Sequence, residues 1–334
     1  MNIFSQRILE SQEIKQFHKF LREANAVHTH INPDVDAITS LLILKIANSN
    51  ITPVTNLRPM EIELLRNTFK IHSSSNKIES KMDIVVDSTV DQSTSNAPKV
   101  LVIDHHLTRD IENVKSKDLR TVHELYIIRK PCISNGLLLY RALMQIGILE
   151  RMGDTERNML RILAITSVMG DTDHGKYNNE LYTNILNHLS GSNTTIINDA
   201  KDLYKQLYGK LSTDRDNTTD RWNILYNQET DRTYGIIVEN QQDTGSIAND
   251  MFRKHSKNIV VVSKYRDFYK ISIRLYRSYA NYEQVFNELY SDLKNLANRI
   301  DMGLSNSQVY GGKLYTDKDP EQLLRDLIHI IDKY

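Results

Sequence analysis

Val100-Leu101-Val102-Ile103-Asp104-His105-His106 is a run of four apolar residues that stops abruptly at an aspartate and two histidines. A second run of the same kind, Asp83-Ile84-Val85-Val86-Asp87, precedes it and also stops at an aspartate. Short continuous apolar runs bounded by polar residues read as strands buried on both faces, as in parallel sheets of α/β folds. N-terminal to them, Ala26-Val27-His28-Thr29-His30 leads into a turn at Asn32-Pro33-Asp34, and Asp36 to Ala47 carries Ala37, Ile38, Leu41, Leu42, Leu44 and Ile46 in a buried-helix pattern. A polar helix from about Ser11 to Asn25 comes first. C-terminal to them, helices are predicted over 134–146 and 154–168, the second with Asp154 as N-cap and Glu156 in its first turn.

The alternation predicts an α/β protein whose N-terminal domain is built on a mainly parallel sheet. The chain then turns polar, and the turn-prone stretch Ser212 to Asp220 marks a boundary. Beyond it a smaller mixed α/β pattern follows, with strands over 234–238, 258–263 and 268–275, helices over 246–254, 281–298 and 320–333, and a loop holding Gly311-Gly312. The expected division is 1–190, a linker over 191–225, and 226–334. A chain of 334 residues has room for two domains.

Lys and Arg number 42 and Asp and Glu 42, so no overall field draws the chain to nucleic acid or membrane, although a local basic cleft stays open. The single cysteine, Cys132, excludes an internal disulfide and a cysteine zinc site. The opening MNIFSQRILESQEIKQF lacks the apolar stretch of a signal peptide, and no run approaches a membrane span. A reduced, cytoplasmic protein with no membrane partner is expected.

The chemistry lies in four separated clusters of Asp and His. His30, Asp34 and Asp36 fall within seven residues; Asp87 and Asp104-His105-His106 end strands; Gly170-Asp171-Thr172-Asp173-His174 follows a helix. Ligands of open α/β sheets bind outside the carboxyl ends of the strands, so these clusters could converge. Singly, each has a plainer reading: Asp87 as a cap or turn residue, His30 as a packed histidine, Asn-Pro-Asp as a good turn. Together, crowded carboxylates repel unless cations neutralise them, and mixed Asp and His ligands without thiolates suit Mn²⁺, Mg²⁺ or Fe²⁺.

His30-Ile31-Asn32-Pro33-Asp34-Val35-Asp36-Ala37 with Ser40 resembles the first motif of the DHH phosphoesterase superfamily. Val86-Asp87-Ser88 resembles the second, Ile103-Asp104-His105-His106 the third, and Gly170-Asp171-Thr172 the fourth, in the same order. The resemblance implies two divalent ions, Mn²⁺ foremost and Mg²⁺ next. His30, Asp34 and Asp87 would hold one, and Asp36, Asp87, His105 and Asp171 the other. It further implies that His106 serves the substrate phosphate or the nucleophile and that Asp104 orients its neighbours. Asp173 and His174 depart from the family pattern and are given no metal role.

The C-terminal region resembles the DHH-associated domain of the RecJ and nanoRNase (oligoribonuclease and pAp phosphatase) branch. Lys270-Ile271-Ser272-Ile273-Arg274 resembles the strand whose Ser and Arg face substrate, and Val309-Tyr310-Gly311-Gly312-Lys313 stands where that branch has its glycine-rich loop. This chain lacks the usual histidine and alanines there, so the usual grip on a terminal nucleotide is altered; Arg277 and Lys313 are candidate replacements. Tyr276, Tyr279 and Tyr310 are the tyrosines nearest for base stacking. The first function implied is hydrolysis of short oligonucleotides, 3′-phosphoadenosine 5′-phosphate (pAp) or a cyclic dinucleotide. The others are a single-stranded exonuclease of the RecJ kind and a non-catalytic nucleotide-binding scaffold. A nucleotide substrate and either a second copy of the chain or a replication complex are the implied partners.

Overall fold

Both faces of the two diagnostic runs are buried. In the computed structural model of the chain, β3 (Met82–Val86) and β4 (Lys99–Asp104) turn Ile84, Val86, Leu101 and Ile103 into the main core. Their alternate residues Val85, Val100 and Val102 enter a smaller cluster with Ala97. Period-2 geometry with apolar residues on both sides explains why the runs are continuous rather than alternating. The structure describes residues 7–30, 33–54, 80–88, 95–108, 122–130, 132–172, 179–211, 222–239, 242, 244–276, 282–306 and 308–334. Asp173, His174, Arg277, Tyr279 and the 212–220 turn lie outside them.

The chain divides into two compact units, Met1–His106 with Glu112–Thr213, and Leu107–Ile111 with Asp214–Tyr334. In the first, β1 (Ala26–His28), β2 (Thr52–Val54), β3, β4 and β6 (Glu124–Arg129) form a five-stranded parallel sheet in the order β2-β1-β3-β4-β6. The main core packs it with α1 (Ser11–Glu23), α2 (Val35–Ala47), α3 (Asn135–Gln145), α4 (Asp154–Thr172), α5 (Asn179–Ser190) and α6 (Thr194–Leu211). Helix α2 is apolar nearly all round because it is buried between sheet and helices, packed against α3 and α4. Strand β1 has β2 on one side and β3 on the other, so successive strands leave it in opposite directions across the sheet. That reversal opens a crevice at the carboxyl ends of β1 and β3.

The second unit holds a seven-stranded mixed sheet in the order β5-β11-β12-β10-β9-β8-β7. Its strands are β5 (Leu107–Thr108), β7 (Ile224–Glu229), β8 (Thr233–Val238), β9 (Asn258–Lys264), β10 (Tyr269–Arg274), β11 (Arg299–Asn306) and β12 (Val309–Tyr315). Among the described strands of this sheet, only β8 and β9 pair in parallel. Helices α8 (Tyr282–Lys294) and α9 (Pro320–Ile331) share a core with one face, and α7 (Thr244–His255) packs on β9 and β10. Thus the α/β class, with a parallel-sheet domain and a smaller mixed one, is as the sequence predicts.

Several local expectations are corrected. Residues 194–211, within the span expected to be a linker, form α6, which packs on α4 through Leu203, Leu207 and their neighbours. Residues 107–108, expected in the first domain, pair instead with β11 of the second sheet. Asp154 is the first residue of α4 rather than its cap, and α4 runs on to Thr172, so Asp171 lies in its last turn. Gly311-Gly312 is not in a loop but inside β12, paired with Ser272 and Ile271 of β10. A side chain at Gly312 would run into the backbone of Asp301 on β11, so close strand approach is what demands that glycine.

Candidate metal centre

Each cluster arrives at the crevice by a different route. His30 follows β1. Asp34 is the N-cap of α2, its Oδ1 accepting from the Ala37 N–H at 3.0 Å, and this cap turns the chain so that Asp36 enters the buried first turn. Asp87 stands one residue past β3 with φ of 50°, a left-handed backbone that non-glycine residues rarely adopt. Asp104 closes β4 and hands on to His105 and His106. Asp171 comes from the last turn of α4, one helical turn beyond Ser167 and on the same face.

The structure brings these side chains together in three groups whose donor atoms lie within 4.8 Å of one another: His30, Asp34 and Asp87; Asp36, His105 and Asp171; and Asp87, His105 and His106. Asp87 is common to two of them. Its Oδ2 is 3.8 Å from His30 Nε2, and its Oδ1 is 3.4 Å from His105 Nε2 and 3.5 Å from His106 Nδ1. His105 Nε2 also lies 3.5 Å from Asp36 Oδ2 and 3.2 Å from Asp171 Oδ2.

His105 shows what the cluster is suited to hold. Its Nδ1 is 3.0 Å from the carbonyl oxygen of Cys132, which can only accept, so the proton is on Nδ1. The opposite nitrogen, Nε2, is buried, makes no hydrogen bond, and faces three carboxylates; Asp87 Oδ1 likewise has no hydrogen-bond partner. A lone pair set among anionic oxygens needs either a second proton or a cation between them. A carbonyl that fixes the tautomer of a histidine is the usual support behind a metal-ligating imidazole. The donor set therefore fits divalent cations.

The charge states agree. Burial pushes the Asp36 carboxyl up to about 6, with the charge of Asp87 adding to the rise. Burial raises Asp171 well above the usual carboxylate range, reinforced by the charge of Asp36. Burial alone would lower His105, but Asp171, Asp87 and Asp36 outweigh it and lift it well above an ordinary histidine. Burial also opposes charge on His30, and Asp87 and Asp34 overcome it. For Asp87 burial is outweighed the other way, by the facing His105 and His30 rings, and its carboxyl is held below the usual range. Without a cation the cluster retains protons that a cation would displace.

Asp104 does not join a ligand group. Its Oδ1 accepts from His106 Nδ1 at 2.8 Å and from the His106 N–H at 3.1 Å, and its Oδ2 lies 3.4 Å from Arg129 Nε. It orients His106, whose ring is more open than that of His105. The Asp36 carboxylate is gripped by donors unnoticed in the sequence. The Asn135 and Gly136 N–H groups at the start of α3 reach it at 2.7 and 2.9 Å, and Ser167 Oγ at 2.6 Å. Ser167, four residues before Asp171 and so on the same helix face, was the available sign.

The expected substrate residues all belong to the second unit. Ser272, Gly311 and Lys313 share one sheet face with Lys270, since Ser272 pairs with Gly311 and Lys270 with Lys313. Lys313 is exposed, its Nζ 5.0 Å over the Phe268 ring. Ser272 Oγ bonds Thr244 Oγ1 at 2.9 Å. Arg274 is buried, donating to Asn249 Oδ1, the Ile273 carbonyl and the Gly245 carbonyl at 2.7, 3.0 and 3.2 Å, which fastens the first turns of α7 to β10. Tyr310 is buried in the core, whereas Tyr276 is 54% exposed.

No family model and no curated protein matches the chain by sequence. Solved structures do match by shape. An exopolyphosphatase-related protein from Bacteroides fragilis is 15% identical with a TM-score of 0.54, covering 98% of both chains. RecJ from Thermus thermophilus, solved with Mn²⁺, is 13% identical with a TM-score of 0.42, covering 96% of this chain and 53% of that one. A pGpG-specific phosphodiesterase from Vibrio cholerae is 13% identical with a TM-score of 0.28, covering 93% and 99%. The likeness in fold rests on the first of these. No helix among the described residues is long and apolar enough to cross a membrane. The four motifs thus bring their side chains together at the switch point of a parallel sheet, in a chain that shares its fold with the exopolyphosphatase-related protein.

Proposed function

We propose that the protein is a two-metal phosphoesterase that hydrolyses short oligonucleotides, pAp or a related small nucleotide. The observation that carries this reading is His105, whose Nδ1 is committed to a carbonyl while its buried Nε2 faces Asp36, Asp87 and Asp171. His30, Asp34 and Asp87 would hold one ion and Asp36, Asp87, His105 and Asp171 the other, with Asp87 shared. Mn²⁺ is the ion proposed, and Mg²⁺ the alternative. Bound there, divalent ions neutralise phosphoryl oxygens and lower the pKa of water.

The chain's own groups supply the rest. Asp104 accepts the Nδ1 proton of His106 and fixes the ring, leaving Nε2 as the atom that donates to a phosphoryl or leaving-group oxygen. Burial and the neighbouring His105 lower the His106 pKa, but Asp104 and Asp87 outweigh them and raise it above its ordinary value. Ser272, Gly311 and Lys313 are the proposed substrate contacts of the second unit, with Lys313 in place of the absent histidine. Arg274 acts by holding α7 rather than by reaching phosphate. The equal counts of acidic and basic residues favour a small substrate over a long strand. The exopolyphosphatase-related description of the Bacteroides fragilis protein agrees with a phosphate ester or anhydride as substrate.

The test is turnover with Mn²⁺ of pAp, di- to pentanucleotides, a cyclic dinucleotide and an end-labelled long single strand, beside an Asp87→Asn variant. Cleavage of a short substrate by the parent and not by the variant is expected. Rapid, salt-sensitive shortening of the long strand would instead indicate an exonuclease. No turnover of any substrate, with Mn²⁺ bound, would indicate a nucleotide-binding scaffold.

A further inference from the structure

The Asp36 and Asp87 carboxylates come from segments 51 residues apart in sequence, yet one residue outside the four motifs touches both segments: Asn135, the first residue of α3, which is fully buried. Its backbone N–H donates to Asp36 Oδ2 at 2.7 Å. Its side-chain amide has one orientation in which both polar atoms find complementary partners. The amide nitrogen then donates to the Ile103 carbonyl at 3.2 Å, and the oxygen accepts from Ser40 Oγ at 3.3 Å and from the Asp87 N–H at 3.2 Å.

These bonds fall at consequential points. Asp87 holds its left-handed backbone while its N–H is shared between Asn135 and the Ile103 carbonyl, at 3.1 Å from the latter. That conformation sets the direction in which the carboxylate leaves the chain, and a left-handed aspartate persists only where its surroundings determine it. Ile103 leads directly into Asp104-His105-His106. The helix itself does not need the Asn135 side chain, because Ser134 already caps α3 by accepting from the Leu137 N–H at 3.3 Å. The close seating of α3 is enforced by its neighbour, since a Cβ at Gly136 would stand 2.5 Å from Ser167 Oγ. A neutral amide suits the place: it donates and accepts without adding to the negative charge already crowded there.

We infer that Asn135 is a positioning residue of the metal centre, holding Asp36 through its backbone and the Asp87 and Ile103 segments through its side chain, so that the ligand carboxylates meet in one arrangement. The inference rests on the metal-centre reading above. Asn135 touches neither ion nor substrate and acts through the aspartates. Groups that orient metal ligands typically weaken metal binding by about 10–100-fold when removed.

The experiment titrates metal-free protein with Mn²⁺ alone, by calorimetry, for the parent, Asn135→Ala, Asn135→Ser and Asp87→Asn, with thermal unfolding of each metal-free sample. Mn²⁺ affinity is expected to fall about 10–100-fold in Asn135→Ala and Asn135→Ser. The metal-free variants should stay folded but unfold somewhat below the parent, because a buried amide is lost, and turnover should recover toward the parental kcat when Mn²⁺ is raised. Asn135→Ser retains a small polar group at the start of α3 and serves if the alanine variant does not fold. Parental Mn²⁺ affinity in a folded Asn135 variant would overturn the inference, as would lost affinity that Mn²⁺ excess never offsets in turnover. If the parent itself fails to bind Mn²⁺, the metal centre is refuted and the positioning role falls with it; that failure shows in the parental titration rather than in the variants.

Discussion

Raising the pH from 5.5 to 7.5 in the absence of metal should loosen the first unit, and Mn²⁺ should restore it by an amount that grows with pH. Asp36 has its carboxyl at about 6 in the fold against 3.8 as the ordinary value. A carboxyl raised in the folded state binds more protons there than when unfolded, so stability falls as pH climbs between those two values. Because most of that loss is already complete at pH 5.5, roughly 1 kcal/mol of it remains to be lost by pH 7.5. The histidines act in the same sense. His30, His105 and His106 are raised in the fold, so their contribution is present below the unfolded value and lost as pH rises through the folded one. Asp87 and Asp104 are lowered, and what they contribute is lost only at lower pH, as they protonate.

For a unit of roughly 200 residues, 1 kcal/mol corresponds to ~2–4 °C in melting temperature, and the histidines add to it in the same direction. Mn²⁺ displaces the retained protons, so its stabilising effect should be smaller at pH 5.5 and a few degrees larger at pH 7.5. Scanning calorimetry of the same sample in chelator and in Mn²⁺ at both pH values measures this. The difference between the paired curves isolates the centre from every other titrating group. An Mn²⁺ effect equal at the two pH values, or larger at the lower, would refute the electrostatic reasoning.

Further outcomes follow from single contacts. Asp87→Asn should lower Mn²⁺-dependent turnover by at least ~10³-fold, since several kcal/mol of charge stabilisation depend on the shared carboxylate; steady-state kinetics on the best substrate decides it. Asp34→Ser should retain the α2 cap and lose metal, whereas Asp34→Ala should also lose about 1 kcal/mol of stability, read by denaturant unfolding of the metal-free proteins. Gly312→Ala should destabilise the second unit by more than ~2 kcal/mol because its Cβ meets the Asp301 backbone. Gly311→Ala meets only ordinary contacts, so it should fold normally and show its effect in KM.

The parallel sheet was legible because β3 and β4 are buried on both faces and so carry unbroken apolar runs. Of the proposed ligands, His30, Asp87 and His105 were legible because they stand just past strand ends, and the reversal of strand order at β1 explains why those ends meet. Other elements left weaker traces. Strand β7 is largely exposed and β6 only partly buried, so neither shows a clean apolar period. Helix α6 was obscured by the Asn, Asp and Lys on its solvent side. The Gly-Gly pair reads as a loop in sequence, but tertiary crowding between β11 and β12 requires it. Asn135 was invisible because its role depends on contacts with residues 99 positions back on the chain and beyond β4, which no local pattern records.

Anomalous scattering from a crystal of the chain soaked in Mn²⁺ tests the paired-cation claim most directly. Two peaks are predicted, one bounded by His30, Asp34 and Asp87, the other by Asp36, Asp87, His105 and Asp171. A map with no manganese signal among those side chains would contradict it.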